Sequence, residues 1–446
     1  MEEERIKVIK RASPSSAKYG LYWMQASQRA WWNPALEHAI CLSNEHRLPL
    51  VVLFVIVPHY PEANLRSFHF MLLGIKETSQ DLAERGITFV VQVGDPVEKV
   101  LALTAEARFL VLDVGYLRHQ RQWREAIAKR APCPVTQVEG EVVVPTDLLP
   151  RKAFASARSF RLAMAPFLTR FLRPLPPVEV KLKMVQPDFP SLSLDDPEGV
   201  LRDLPIDRSV PPVSWPAGTS AARARLKSFL EEEILQYHES RRDPLLDGTS
   251  RLSPYLHFGQ ISPVEVAFKA SSLEGPGPKA FLEELTVRRE LAINFVLHSP
   301  RYDSFLALPA WARETMEKHA QDPRPSLYSL QELEEGKTED PLWNAAQKEL
   351  KNTGWLHNYL RMYWGKQFIR WFSKPKEAWK AALYLNNKYL LDGRDPASFA
   401  GVGWCFGLHD RPFPERPLFG KVRPMTLKAQ RAKFDVDGYI AKQEGG

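Results

Sequence analysis

LPLVVLFVIV, residues 48–57, runs through ten positions without one charged or hydrogen-bonding side chain. A strand with one face in water alternates apolar and polar residues, whereas a strand covered on both faces has no reason to. The run therefore predicts a strand inside a sheet that carries helices on both sides. Similar strand-like runs flank it: YGLYWMQ (19–25), ITFVVQVG (87–94), ARFLVLDVG (107–115) and VTQVEGEVVVP (135–145). Helical patterns lie between them, such as NPALEHAICLSNEH (33–46) and FHFMLLGIKETSQDLAERG (68–86). Short buried strands alternating with helices predict an α/β domain with a parallel, Rossmann-like sheet over residues 1–160. Neither GxGxxG nor GxxxxGK[ST] occurs, so no phosphate-binding fingerprint supports a nucleotide site there. Such a sheet still offers a crevice at its topological switch point.

Eleven of the 37 prolines fall between Pro166 and Pro216, within a stretch bounded by LRPLPPVEV (172–180) and PPVSWPAG (211–218). Proline without a periodic pattern reads as an extended connector, and one this long predicts a domain boundary, a linker over 161–220. Beyond it the strand signals vanish. SAARARLKSFLEEEILQYHESR (220–241), GPKAFLEELTVRRELAINFVLHS (277–299), the region 341–372 and PKEAWKAALYLNNKYLLDG (375–393) all read as helices. The second half, 221–446, is expected to be an all-α domain.

The 446-residue chain is 44% hydrophobic and carries 60 Lys+Arg against 53 Asp+Glu, a net +7 that decides little by itself. Distribution says more. Between Arg411 and Lys433 stand seven basic residues and one acid, Glu415. That pattern suits a polyanion, or is a solvated basic face. Cys41, Cys133 and Cys405 are widely spaced and form no metal-ligand motif, which predicts no metal site and a reducing compartment. The N-terminus has no apolar signal segment and no run reaches membrane-spanning length, so a cytoplasmic protein is expected.

Two stretches pose chemical questions. In NYLRMYWGKQFIRWF (358–372), Arg361, Trp364 and Trp371 share one helical stripe. A core stripe prefers Leu and Ile, and a buried arginine needs a partner. In TSRLSPYLHFG (249–259), hydroxyls and a guanidinium precede Pro254 at a helix start. This is either an anion-binding turn or an ordinary Ser N-cap with a spare arginine.

The segment TSRLSPYLHFG, with Tyr237 twelve residues before it, resembles the flavin-binding segment of the DNA photolyase and cryptochrome family. GRDPASFAGVGWCFGLHDRPFPERPLFGKVR (393–423) and YWMQASQRA (22–30) resemble class II cyclobutane pyrimidine dimer photolyases in particular. The resemblance covers nearly the whole chain. It implies a helical domain that holds FAD and a light-driven electron transfer from reduced flavin to a pyrimidine dimer. It assigns Tyr237, Thr249, Ser250, Arg251, Leu252, Ser253, Arg361, Asn386, Asp392 and Arg394 to FAD. Within that set Asp392 pairs with Arg361, and Asn386 faces flavin N5, where an amide can either donate or accept. Trp364, Trp343 and Trp371 match an electron-transfer chain to the flavin, with Trp364 nearest and Trp343 between the other two.

The same resemblance places Glu284, Met362, Tyr363 and Trp404 around a flipped-out dimer, and Arg241, Arg411, Phe413 and Arg423 on the DNA backbone or in the vacated gap. Arg288 and Arg242 depart from residues found in some class II enzymes. The implied partner is UV-damaged DNA, single- or double-stranded, bound by a monomer. A cryptochrome-like photoreceptor is the alternative; Glu284, Trp404, the basic segment and the short sequence after Ile440 speak against it. Repair of the (6-4) photoproduct would call for a pocket histidine, and neither His257 nor His357 lies in a matching motif. A second, antenna chromophore in the N-terminal sheet is implied as an option, with no motif to say which.

Overall fold

A computed structural model describes residues 2–13, 17–183, 189–246 and 248–445. The chain divides into two compact units: one of residues 1–151, 163–228 and 251–273, the other of 152–162, 229–250 and 274–446.

The first unit holds a six-stranded sheet in the order β1-β6-β5-β2-β3-β4. The strands are β1 (Ile6–Lys10), β2 (Tyr19–Met24), β3 (Leu50–Ile56), β4 (Thr88–Val93), β5 (Ala107–Asp113) and β6 (Val135–Val138). β3 lies parallel to β2 and β4 and is buried at every position, as its unbroken apolar run requires. Alternate residues face opposite layers. Leu21, Trp23, Val51 and Leu53 pack with Val97, Val100 and Leu103 of α3 (Pro96–Thr104) and Ile127 of α4 (Arg118–Arg130). Tyr22, Met24 and Val52 pack with Leu36, Ala39 and Ile40 of α1 (Pro34–His46) and Leu82 of α2 (Leu65–Glu84).

Three features depart from the sequence reading. The sheet is mixed, because β1 joins it antiparallel to β6, with Ile6 opposite Val138. The run at 135–145 pairs only as far as Val138. Beyond it the buried Arg5 guanidinium donates to the carbonyls of Glu139, Val142 and Val143, so this backbone is satisfied without a strand partner. The proline-rich segment is also no free connector in its described part. Leu194, Val200, Leu201 and Leu204 are buried against Phe54, Ile56, Phe68 and Leu72, and the Leu192 amide donates to the Val91 carbonyl on the edge strand β4. That contact covers an edge that would otherwise expose unpaired amides. Residues 184–188 lie outside the described residues.

The switch point falls between β2 and β5, and the protein fills it itself. Asp113 Oδ2, at the end of β5, accepts from the amides of Gln25, Ala26 and Ser27 at 2.8, 2.6 and 3.0 Å, and Oδ1 meets Arg124 at 2.6 Å. A carboxylate there repels phosphate.

The second unit is helical. Helix Pro341–Thr353 is capped by Asp340, whose Oδ1 accepts from the Trp343 amide, and ends at Gly354 in the left-handed region (φ 69°). His357 caps the next helix, Asn358–Trp371: its Nδ1 accepts from the Tyr359 amide at 3.2 Å. Helices Pro375–Tyr389 and Pro396–Cys405 follow. Gly365 permits close approach of helices 358–371 and 396–405, since a Cβ there would stand 2.5 Å from Cys405 Sγ. The helical pattern over 277–299 is interrupted by a π-helical turn, Glu283–Arg288, of the kind that often re-aims side chains at functional positions.

Candidate functional site

The stripe on helix Asn358–Trp371 proves to be one side of an aromatic row. The indoles of Trp364 and Trp343 stack almost parallel, 4° apart with centroids at 6.0 Å. Trp343 in turn meets Trp371 edge-on at 5.1 Å. Trp343 therefore sits between residues that are seven apart on one helix, as the sequence reading placed it. Phe368 closes the row, 4.8 Å from Trp364 and 6.0 Å from Trp343. Offset and edge-on contacts of this sort each add about 0.5–1.5 kcal/mol beyond burial.

Two of the indole N–H groups have fixed partners. Trp364 Nε1 donates to Gln347 Oε1 at 2.9 Å, and Trp343 Nε1 to the Trp364 carbonyl at 3.0 Å. Gln347 was not singled out from sequence. Its signal was available, because it stands one helical turn after Trp343 on the same face. Trp371 is buried and also meets Tyr328 edge-on at 5.2 Å, so the row does not open directly to solvent through Trp371.

Arg361, one turn before Trp364, pairs with Asp392 at 2.9 Å and donates through Nε to the Leu356 carbonyl at 2.8 Å. The ion pair expected from sequence is present. Arg361 keeps about a quarter of its side chain in solvent (24%), whereas Asp392 is at 9%. Asp392 Oδ2 takes the arginine; its Oδ1 is buried without a hydrogen-bond partner among the described residues. A buried unpaired carboxylate oxygen is costly unless some donor reaches it. Asn386 is also buried, and its amide donates to Asn387 Oδ1 at 3.0 Å, which fixes the plane of the group. Arg394, in the left-handed region at φ 64°, is buried and held by the Asn387 and Leu391 carbonyls.

The residues expected around a lesion divide. Glu284, on the π-helical turn, pairs with Arg241 at 2.8 Å, and Arg241 lies over the Tyr237 ring at 5.5 Å. Trp404 is partly exposed, covered by the Arg288 guanidinium at 5.2 Å and flanked edge-on by His409 at 6.2 Å. Burial holds the His409 imidazole down at about 4, so it is neutral at ordinary pH. Met362 is half-buried and faces Cys405. Tyr363 does not fit the wall expected of it. It is fully buried, and its hydroxyl donates to Asp340. A side chain with no accessible surface lines no opening; the next position on a helix points about 100° away, so Trp364 and Tyr363 serve different neighbours.

In the basic segment Arg423 lies over the Phe413 ring at 4.4 Å and Arg411 at 5.8 Å, while Arg423 also meets Asp410 at 3.4 Å. Both arginines are exposed. Of the 249–253 motif, Thr249 and Ser250 belong to the second unit and Arg251, Leu252 and Ser253 to the first. The helix there runs only from Ser253 to His257; Ser253 is its first residue rather than a side-chain cap, and Arg251 adopts φ 50°. Burial pushes the Tyr237 hydroxyl up to about 12. Of the two histidines weighed for proton transfer, His357 is occupied as a buried helix cap.

Solved structures share this fold. A bacterial class III photolyase from Agrobacterium tumefaciens matches with a TM-score of 0.77 at 20% identity, covering 97% of this chain and 87% of that one. An archaeal photolyase from Sulfolobus tokodaii, solved with two FAD molecules, matches with a TM-score of 0.73 at 17% identity over 95% and 89%. These likenesses concern the fold. A family model described as DNA photolyase matches residues 20–180. A deoxyribodipyrimidine photo-lyase from Methanothermobacter thermautotrophicus is 42% identical over 447 residues, 99% of this chain and 98% of the relative. The protein of the same name from Potorous tridactylus is 36% identical over 433 residues, 95% and 80%. The chain belongs to the DNA photolyase family.

Proposed function

We propose that this protein is a class II photolyase that splits cyclobutane pyrimidine dimers in UV-damaged DNA, with FAD as its catalytic cofactor. The observation that carries the reading is the contiguous row Trp364–Trp343–Trp371, which lies one helical turn from a paired arginine and aspartate in a chain of this family. The residues present fit a flavin. Asp392 offers a buried acceptor in want of a donor, which a flavin N–H would supply, and Arg361 holds its other oxygen. Asn386 offers an amide that can meet a flavin nitrogen in either protonation state. When bound, FAD supplies light absorption and a transferable electron.

The chain's own residues do the rest. The indole row provides a path for electrons into the site, and its burial excludes water from it. Glu284, Met362 and Trp404 receive the flipped dimer, with Arg288 over Trp404 adding a cation to that wall. Arg241, Arg411 and Arg423 meet phosphates, and Phe413 enters the gap opposite the lesion. Tyr237, Thr249, Ser250 and Arg394, in the same unit as Arg361, Asn386 and Asp392, belong to the FAD set. That the Sulfolobus protein holds two FAD molecules supports a second chromophore as an option here. The protein is read as a cytoplasmic monomer; among the described residues no helix is long and apolar enough to cross a membrane.

The test is an absorption spectrum of the purified protein, followed by illumination of the reduced form with dimer-containing DNA. Flavin bands and dimers lost only in the light are expected. Flavin without light-dependent dimer loss returns the protein to the photoreceptor class.

A further inference from the structure

The segment 410–423, which bears Arg411, Phe413 and Arg423, has little apolar burial of its own in its first half. Its second half buries Phe419 and Val422, and its polar ties converge on one imidazole. His319, just after helix Ala310–Lys318, contacts Asp322 Oδ2 through Nδ1 at 2.7 Å and Glu415 Oε1 through Nε2 at 2.9 Å. The same Asp322 oxygen accepts from the Leu418 amide at 2.8 Å, and Lys318 Nζ joins Glu415 at 2.8 Å. Arg324 donates to the carbonyls of His319 and Asp322. Arg416 and Gly420 exchange backbone hydrogen bonds, and Gly420, at φ 54°, packs where a Cβ would run into Thr315 Oγ1 and the His319 ring. The Lys421 amide donates to Thr315 Oγ1 at 3.0 Å.

We propose that doubly protonated His319 is a clamp that holds the 410–423 segment in its DNA-facing form, making duplex binding dependent on a single proton. The chemistry is a matter of counting donors. Both ring nitrogens face carboxylate oxygens, which accept only, so both must carry hydrogen for both bonds to form. Neutral imidazole has one N–H and therefore leaves one nitrogen lone pair against a carboxylate. Either the tie to Glu415 or the tie to Asp322 is then lost. The groups facing the ring agree with the charged form: two carboxylates, with Lys318 and Arg324 engaged by those carboxylates or by carbonyls.

Those carboxylates raise the His319 pKa above its ordinary value, with Glu415 the larger cause, while Lys318 and His319 hold Glu415 down to about 2. Because the folded-state pKa is raised, the clamp's contribution is complete below the ordinary histidine range and is lost as pH rises through the folded value. The carboxylates stay charged until strongly acid pH. The segment is thus held below the folded pKa of His319 and released as pH rises through it.

Amide hydrogen exchange over 415–421 tests the clamp without DNA or flavin. Protection factors, corrected for intrinsic exchange, are expected to fall by up to about tenfold per pH unit above the folded pKa, the slope of a one-proton linkage. His319→Gln, which can donate on one side only, is expected to show low protection at every pH. Asp322→Asn, a second route to the same loss, is expected to do likewise. Flat wild-type protection across this range, or His319→Gln protected like wild type below it, overturns the proposal.

The consequence for DNA rests on the functional reading above and has its own measurement. At fixed ionic strength, affinity for a dimer-containing duplex is expected to decline with the same midpoint as protection, and to be flat in His319→Gln. If protection titrates and affinity does not, the clamp stands and the assignment of this segment to DNA falls.

Discussion

The indole row and the basic segment were both conspicuous by residue type, yet they are built on opposite principles. Trp343, Trp364 and Trp371 are buried, with Trp343 in contact with both others, and the Trp343 and Trp364 indoles are fixed by a backbone and an amide partner. Arg411 and Arg423 are exposed, stacked on a half-buried Phe413, and their segment is tied down by charged hydrogen bonds at the surface. The row is rigid because packing over-determines it. The exposed first half of the segment is held by screened polar contacts, individually worth little, while Phe419 and Val422 anchor its second half. Under the proposed function the difference has a use: electron transfer needs fixed distances, whereas a loop meeting DNA must yield to a bent and opened duplex.

That contrast can be broken at its strongest point first. Trp364→Phe keeps most of the volume but supplies a ring far harder to oxidise. Photoreduction of the oxidised protein should be nearly abolished while chemically reduced enzyme still repairs. Normal photoreduction in this variant would reduce the row to ordinary packing.

Asp392→Ala comes next. Breaking a fully buried ion pair from one side costs about 3–5 kcal/mol. Arg361 keeps part of its side chain in water, so a loss nearer 2 kcal/mol is expected, together with weakened flavin retention. Flavin content and melting temperature report the two effects separately, and no change in either would dismiss the pair as a site element.

Tyr363→Phe sharpens the boundary between core and site. It strands the buried Asp340 carboxylate, at a cost of about 1–3 kcal/mol. Burial raises the Asp340 pKa, and the Tyr363 hydroxyl works against that rise by favouring the ionised form. The contribution is therefore present where Asp340 is ionised and lost as pH falls through its folded pKa. The drop in melting temperature should be larger at neutral than at acid pH. A change in dimer affinity at unchanged stability would return Tyr363 to the lesion wall.

The smallest effect belongs to the exposed segment. In the double variant Arg423→Ala, Phe413→Ala, affinity for dimer-containing duplex should fall on the order of tenfold, about 1.4 kcal/mol. Single-stranded DNA bearing the dimer should bind almost as before, because there is no opposite strand to prop apart. Equal losses on damaged duplex, undamaged duplex and single strand would make the segment a plain electrostatic surface.

Much of this was legible before any coordinates. Strand β3 announced itself because burial on both faces leaves no periodicity to misread. Trp364 and Trp371 lie on one helix, so their common stripe follows from 3.6 residues per turn. Where local rules end, the reading failed. The proline-rich stretch looked like a linker because extended backbone has no amphipathic signature, yet Leu194 and Leu201 find a core to enter. Tyr363 matched a wall by position, but only packing shows that its hydroxyl is spent on Asp340.

The sequence by itself determined the buried strands β2 to β5, the helical character of the second half, and which side chains carry redox or charge chemistry. These follow from composition and short-range periodicity. Only the tertiary structure decided that Trp343 stacks on Trp364 at 4°, that Gln347 accepts from an indole N–H, and that Glu415 reaches His319 across almost a hundred residues of chain. Contacts between distant segments depend on how whole elements pack, and no short window of sequence contains that information.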